Sequence, residues 1–247
     1  MPATAVKYPN PPIQEAICEI HFDLPQPLAK PQMESLMPIW AADYPEQRFI
    51  EERGITIQVG ADGVQTTNRD DLGHRLICKS ADGTRLVQLS GQFLAVNQLR
   101  PYPGWEEGFR DTITGRAAGL QTAIGEVSFR RVGLRYINRI DIPECPLNWK
   151  TWFNFDLPSP TIEGSVPGQF QMQFNSALPK ECRLTINLVL LPPTEPGKVS
   201  VILDLDVIWE GALQDFSELG TFLERVHQPH RLAFEAYLNE KSRRLFQ

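Results

Sequence analysis

Three arginines, Arg131, Arg135 and Arg139, fall on one parity of the run EVSFRRVGLRYINRIDI. Side chains four apart on a strand stand roughly 13 Å from one another, so such a row suits an extended anion and cannot close on one small phosphate. A second pair, Asp204 and Asp206 in LDLDV, shares a strand face at about 7 Å spacing. Two carboxylates so placed could hold a divalent ion with further ligands, act as an acid/base pair, or receive the arginines in salt bridges. The plainer reading is a solvent face or a structural ion pair, because Val201, Leu203, Leu205 and Val207 alternate with them as the apolar parity. With Glu19 added, these six are the ligand-binding candidates. Enzymes that process triphosphate or polyphosphate in a β-walled tunnel use rows of this kind, cations on the phosphate chain and acids on a metal. Glu15, Arg75 and Arg85 are also of suitable type. The ExExK-like opening that would make the comparison specific is missing, since Ile17 and His21 flank Glu19.

The aromatic residues offer a different chemistry. PYPGWEEGF sets Tyr102 and Trp105 among Pro101 and Pro103, residues that lose little freedom on ordering and can build a partner pocket. Trp149 and Trp152, close to Phe153 and Phe155, pose the same choice between an interaction surface and packing. Other constellations fail on spacing. Nucleotide-binding glycine motifs, HExxH and GxSxG are absent. Cys18 and His21 stand three apart in a strand and point to opposite faces. His227 and His230 would share a helical face, but Pro229 between them argues for an ordinary helix junction.

These side chains have to be positioned mainly by strands. AICEIHFDL alternates, with Cys18, Ile20 and Phe22 on one face and Ile17, Glu19 and His21 on the other. HRLICKS and TRLVQLSG flank Ala81-Asp82-Gly83, a hairpin signal, and QFLAVNQL continues the sheet. Further strands are expected around 48–54 and 54–59 with a turn at Asp62-Gly63, and in GQFQMQFNS, CRLTINLVLL and KVSVILDLDVIW. Helices are expected from Pro31 to Tyr44, bent or shortened at Pro38, from Trp105 to Ala123, briefly near 148–155, and from about Phe216 to Phe246 with an interruption near Pro229. The fold class is therefore α+β, a largely antiparallel sheet or two similar strand-rich lobes, with a central helix and C-terminal helices packed on it. The lobes would divide at 1–125 and 126–247, either separately or within one continuous domain.

The 247 residues are enough for a sizeable core, and 42% hydrophobic with 22% charged residues suits globular packing. A net charge of -6 disfavours nucleic acid as a partner, because basic side chains would have to be gathered locally. The opening MPATAVKYPNPP has no apolar signal region, and no run approaches the ~20 apolar residues of a membrane helix. A cytoplasmic address and no membrane partner are expected. Cys18, Cys78, Cys145 and Cys182 are scattered without a CxxC pair, as for reduced thiols.

PPIQEAICEIHFDL, LVQLSGQFLAVNQLRPYPGWEEGF and VGLRYINRIDIP together resemble a sporadically distributed bacterial family of uncharacterised proteins of about this length. The resemblance spans nearly the whole chain and marks Glu15, Asn97, Arg100, Tyr102, Trp105, Arg135, Tyr136, Asn138 and Arg139. It implies an accessory gene connected with host defence or with a toxin and antitoxin pair, and it brings no established reaction. The expectation is thus a noncatalytic intracellular interaction module that self-associates or holds a protein partner, with no cofactor. The alternative is a phosphate-ligand sensor, or a metal-dependent tri- or polyphosphate-processing enzyme with an Arg-lined groove, and only there is a divalent cation expected.

Overall fold

The structure, a computed structural model, describes residues 7–51, 54–60, 63–69, 73–155, 168–193 and 195–247, with 54–60 and 63–69 taken as backbone. Asp62 of the expected Asp62-Gly63 turn and part of the connection between 143 and 168 therefore lie outside the described residues. Among the described residues eleven strands run in chain order: β1 (Ile13–Asp23), β2 (Glu46–Glu51), β3 (Gly54–Gly60), β4 (Gly63–Arg69), β5 (His74–Lys79), β6 (Arg85–Ser90), β7 (Phe93–Leu99), β8 (Ser128–Ile142), β9 (Phe170–Leu178), β10 (Cys182–Leu190) and β11 (Val199–Asp215). Nine form one antiparallel sheet in the order β2-β5-β6-β7-β1-β8-β11-β10-β9, while β3 and β4 pair as a separate hairpin. The fold is α+β.

The two halves share a layout. Each starts on a central strand, β1 or β8, passes through a short helix, and returns in a meander whose last strand, β7 or β11, pairs with that first strand. The short helices are α1 (Lys30–Leu36) and α3 (Trp149–Trp152), and each meander leads into a longer one, α2 (Arg110–Ile124) or α4 (Leu219–Tyr237). α5 (Glu240–Arg243) follows near the C-terminus. Because β1 and β8 pair antiparallel, with Cys18 opposite Leu134 and Ile20 opposite Val132, one sheet continues through both halves.

Alternation separates the sheet's faces as the strand spacing demands. Ala16, Cys18, Ile20 and Phe22 are buried on β1, and Val132, Leu134, Tyr136 and Ile140 on β8. Val201, Leu203, Leu205 and Val207 continue that layer on β11. On this side α4 packs across β11 and β8 through Leu219, Phe222, Leu223, Val226 and His230, a spacing that makes one helical stripe. α2 adds Ile113, Ala117 and Leu120.

The helix after Pro31 is shortened at Pro38 as expected: α1 ends at Leu36 and passes into a 3-10 turn, Met37–Ile39, where Pro38 cannot supply the amide a further α turn requires. Two other expectations need correction. The C-terminal helix is not interrupted at Pro229, which lies inside α4. Docking of its apolar stripe on two strands offsets the roughly 3 kcal/mol that an interior proline costs. Finally, β8 contains a bulge, since Arg131 pairs with His21 while Phe129 pairs with Phe22. The extra residue turns Phe129 into the core beside Val132, although strict alternation would separate them.

Candidate functional site

The sequence candidates Arg131, Arg135, Glu19, Asp204 and Asp206 stand together on the sheet face away from α4, at neighbouring positions of β1, β8 and β11. Arg139 belongs to the same parity farther along β8. Their charges are already engaged. Arg135 lies opposite Asp206 in the register, yet its guanidinium grips Asp204 with two hydrogen bonds of 2.8 and 2.7 Å. Asp204 also accepts from the Asn187 amide at 3.0 Å and is only 4% exposed. Arg131 donates to His21 Nε2 at 2.8 Å and lies 3.7 Å from Glu19. Burial, followed by the guanidiniums of Arg131 and Arg130, lowers His21 to about 4, so its ring nitrogen is free to accept. Arg139 pairs with Asp141 at 2.9 Å and with Ser200 at 3.0 Å. The row therefore splits into separate pairings. Asp206 makes no hydrogen bond with the described residues, and burial and the nearby Glu19 push its carboxyl up to about 6.

A relay continues on this face toward the other edge. Arg75 donates to Gln88 at 3.2 Å, Gln88 to Asn97 at 3.0 Å, and Asn97 to Glu15 at 2.7 Å. Among the described residues no group of three or more His, Cys, Asp or Glu side chains is arranged to hold a metal ion.

A cavity of about 510 Å³ lies on the helical side, within the ~300–1,000 Å³ typical of small-molecule sites. Three segments remote in sequence meet there: Pro11 and Pro12 of the lead-in to β1, Tyr102 and Trp105 after β7, and Tyr136 and Asn138 of β8. α4 closes the remaining wall with Glu224, His227, His230, Arg231 and Phe234. Asn138, an amide on the core parity, is satisfied by donating to the carbonyls of Tyr136 and Leu203 at 3.2 and 3.0 Å. Gly104, which introduces the Trp105 turn, has φ 104°; a Cβ there would collide with the Glu107 carboxylate.

The polar groups of this wall are ordered by one another. The Tyr102 and Tyr136 hydroxyls are 2.8 Å apart. Trp105 donates from its indole nitrogen to Glu224 at 2.9 Å and stacks on His227 at 4.1 Å. His230 Nε2 lies 3.1 Å from the Leu205 carbonyl, which can only accept, so that nitrogen carries the hydrogen and Nδ1 keeps a lone pair. Burial lowers His227 to about 4 and His230 to about 3 despite the nearby Glu224 carboxylate and Leu205 carbonyl, which oppose it. Burial likewise raises the Tyr102 and Tyr136 hydroxyls. Both imidazoles and both phenols are therefore uncharged near neutrality.

Of the aromatic candidates, Tyr102 and Trp105 line the cavity. Trp149 and Trp152, 8% and 3% exposed, lie in the core instead. Trp149 stacks on Phe153 at 4.2 Å and Trp152 donates to Glu144 at 2.8 Å. Sequence reasoning missed the α4 contribution. His227 and His230 were visible as an i,i+3 pair, and Pro229 hid the helix that brings them together. No protein-family model matches the chain, and no curated protein does either.

Proposed function

We propose that this protein is a noncatalytic, cytoplasmic binding module that captures a partner in the cavity between α4 and the sheet. The observation that carries the reading is the convergence of Pro12, Tyr102, Trp105 and Tyr136 with α4 on one cavity. Its histidines and tyrosines are uncharged, and its carboxylates are held by protein partners. Such a wall suits recognition: it offers apolar plates and a few oriented hydrogen-bonding groups. General acid–base chemistry favours a group that titrates near the working pH, and the imidazoles here titrate far below it. Among the described residues no helix is long and apolar enough to cross a membrane. The family resemblance adds an accessory, defence-associated setting to this reading. A phosphate-binding role for the arginine row is the weaker proposal, because phosphate would have to displace Asp204 from Arg135 and Asp141 from Arg139.

Self-association belongs to the same proposal, and β9 is the surface that supports it. This edge strand reads FQMQFNSAL, without charge or proline, and Phe174 is 39% exposed on it. A second copy of the same uncharged edge meets no like-charge repulsion and can continue the sheet.

The cavity reading is tested by ligand-observed NMR with a library of acidic, basic and neutral ring fragments. Bound fragments are expected to be displaced together and to lose binding when Pro103→Trp fills the space. Hits indifferent to that substitution, or fragments recovered chemically altered, would overturn it.

A further inference from the structure

Every carboxylate on the cavity wall has a partner within the protein, whereas one of the two cations there has none among the described residues, and that cation specifies a ligand. Glu106, Glu107, Glu224 and Glu235 all line the cavity, and each already has a donor. Arg110 lies 3.2 Å from Glu106, and Lys7 lies 2.5 Å from Glu107. Glu224 receives the Trp105 indole at 2.9 Å, and Glu235 receives the Tyr8 hydroxyl at 2.9 Å and forms an ion pair with Arg243 at 2.8 Å. Of the two cations on the wall, Lys7 is thereby occupied. Arg231, half-buried one turn beyond His227, makes no ion pair or hydrogen bond with the described residues. A guanidinium with five donors on a partly desolvated wall favours a planar oxyanion that it can meet with two parallel bonds.

The remaining wall narrows the ligand further. The Tyr102 and Tyr136 hydroxyls bond to each other, so one of their two hydrogens is spent and the other is free for a ligand oxygen. Pro11, Pro12, Pro103 and Phe234 supply flat apolar surface between these polar points. Those surfaces match a ring rather than a chain of hydroxyls.

We propose that the cavity binds an aromatic monocarboxylate, either a free acid or the C-terminal aromatic residue of a polypeptide, with Arg231 pairing the carboxylate. This rests on the cavity being the binding site and adds the chemical class of what enters it. No bond is made or broken; the carboxylate exchanges water for a charge-assisted pair while its ring leaves water.

Isothermal titration of the full chain with 3-phenylpropanoate, indole-3-acetate, their primary amides, and a tetrapeptide ending in Phe as free acid or C-terminal amide tests this. The acids are expected to bind and the amides to bind roughly ten- to a hundredfold more weakly, the range of one charge-assisted pair. Arg231→Gln should bring the acids down to the amides, and Arg231→Lys should restore part of the difference. Thermal unfolding of each variant checks that it remains folded. Tighter binding of the free-acid tetrapeptide than of the small acids identifies a polypeptide terminus as the source, and the reverse order identifies a free acid. Equal binding of acid and amide, or an Arg231→Gln variant that binds acid like the parent, overturns the proposal. If neutral or basic rings enter the cavity and acids do not, the carboxylate assignment fails while the cavity reading stands. If no ring of any charge enters, both fail.

Discussion

Asp204 and Arg135 are paired but unequally buried: the side chains are 6% and 42% exposed. The difference fixes which loss is harder to bear. Arg135→Ala strands a carboxylate that water scarcely reaches, with only Asn187 left to donate to it. Asp204→Asn leaves a guanidinium that water can solvate. Arg135→Ala should therefore cost about 3 kcal/mol and Asp204→Asn about 1 kcal/mol, read from urea unfolding at neutral pH. Equal losses would mean that Asp204 is better solvated than its position implies. The parity of these residues was legible in the sequence, because an apolar layer on β11 can only be buried if Asp204 and Asp206 face away from it. Which acid Arg135 selects was not. The strand register sets Asp206 directly opposite, and the choice of Asp204 depends on Asn187 of β10, brought alongside β11 by the hairpin.

Helix α4 carries two histidines that stay neutral well below their usual range, and on the opposite face of the sheet His21 does the same. In the unfolded chain each binds a proton near pH 6.5, whereas in the folded protein binding waits until about 4 for His21 and His227 and about 3 for His230. Their contribution to stability is complete above 6.5 and declines as pH falls through that interval, by up to ~1.4 kcal/mol per pH unit for each histidine. Asp206, raised to about 6, acts in the opposite sense. Its contribution is complete below the ordinary carboxylate pKa and is lost as pH rises through about 6. Denaturant midpoints measured from pH 7.5 down to 4.5 should fall, and His227→Gln should reduce the acid slope by about one proton. An unchanged slope would show that His227 already titrates freely. The hydrophobic spacing of α4 was readable from residue 219 onward, but the proline was read as a break. Local propensity assigns the proline its cost; only the docked stripe supplies the compensation.

At the scale of the whole molecule the sheet has two unequal edges. β2 is six residues long and carries Glu46, Arg48 and Glu51, charges that discourage pairing with another chain. β9 has nine residues and no charge. Sedimentation across a range of concentrations should reveal a dimer. Gln173→Lys, which sets like charges near each other across the shared edge, should shift the protein to monomer while leaving the unfolding free energy of the monomer, measured at dilution, within about 0.5 kcal/mol of the parent's. A dimer insensitive to that change would have to form elsewhere.

The sequence by itself determined the strands, their inward and outward sides, and the broad α+β class, because a two-residue period decides what a pleated layer can bury whatever its neighbours are. It also showed a repeated strand-then-helix pattern in the two halves. Only the tertiary structure decided that β1 and β8 join those halves into one sheet, that the aromatic turn at Tyr102 and Trp105 faces α4, and that Trp149 and Trp152 lie in the core. Those outcomes depend on contacts between segments tens to more than a hundred residues apart, and such contacts leave no periodic trace in the chain that makes them.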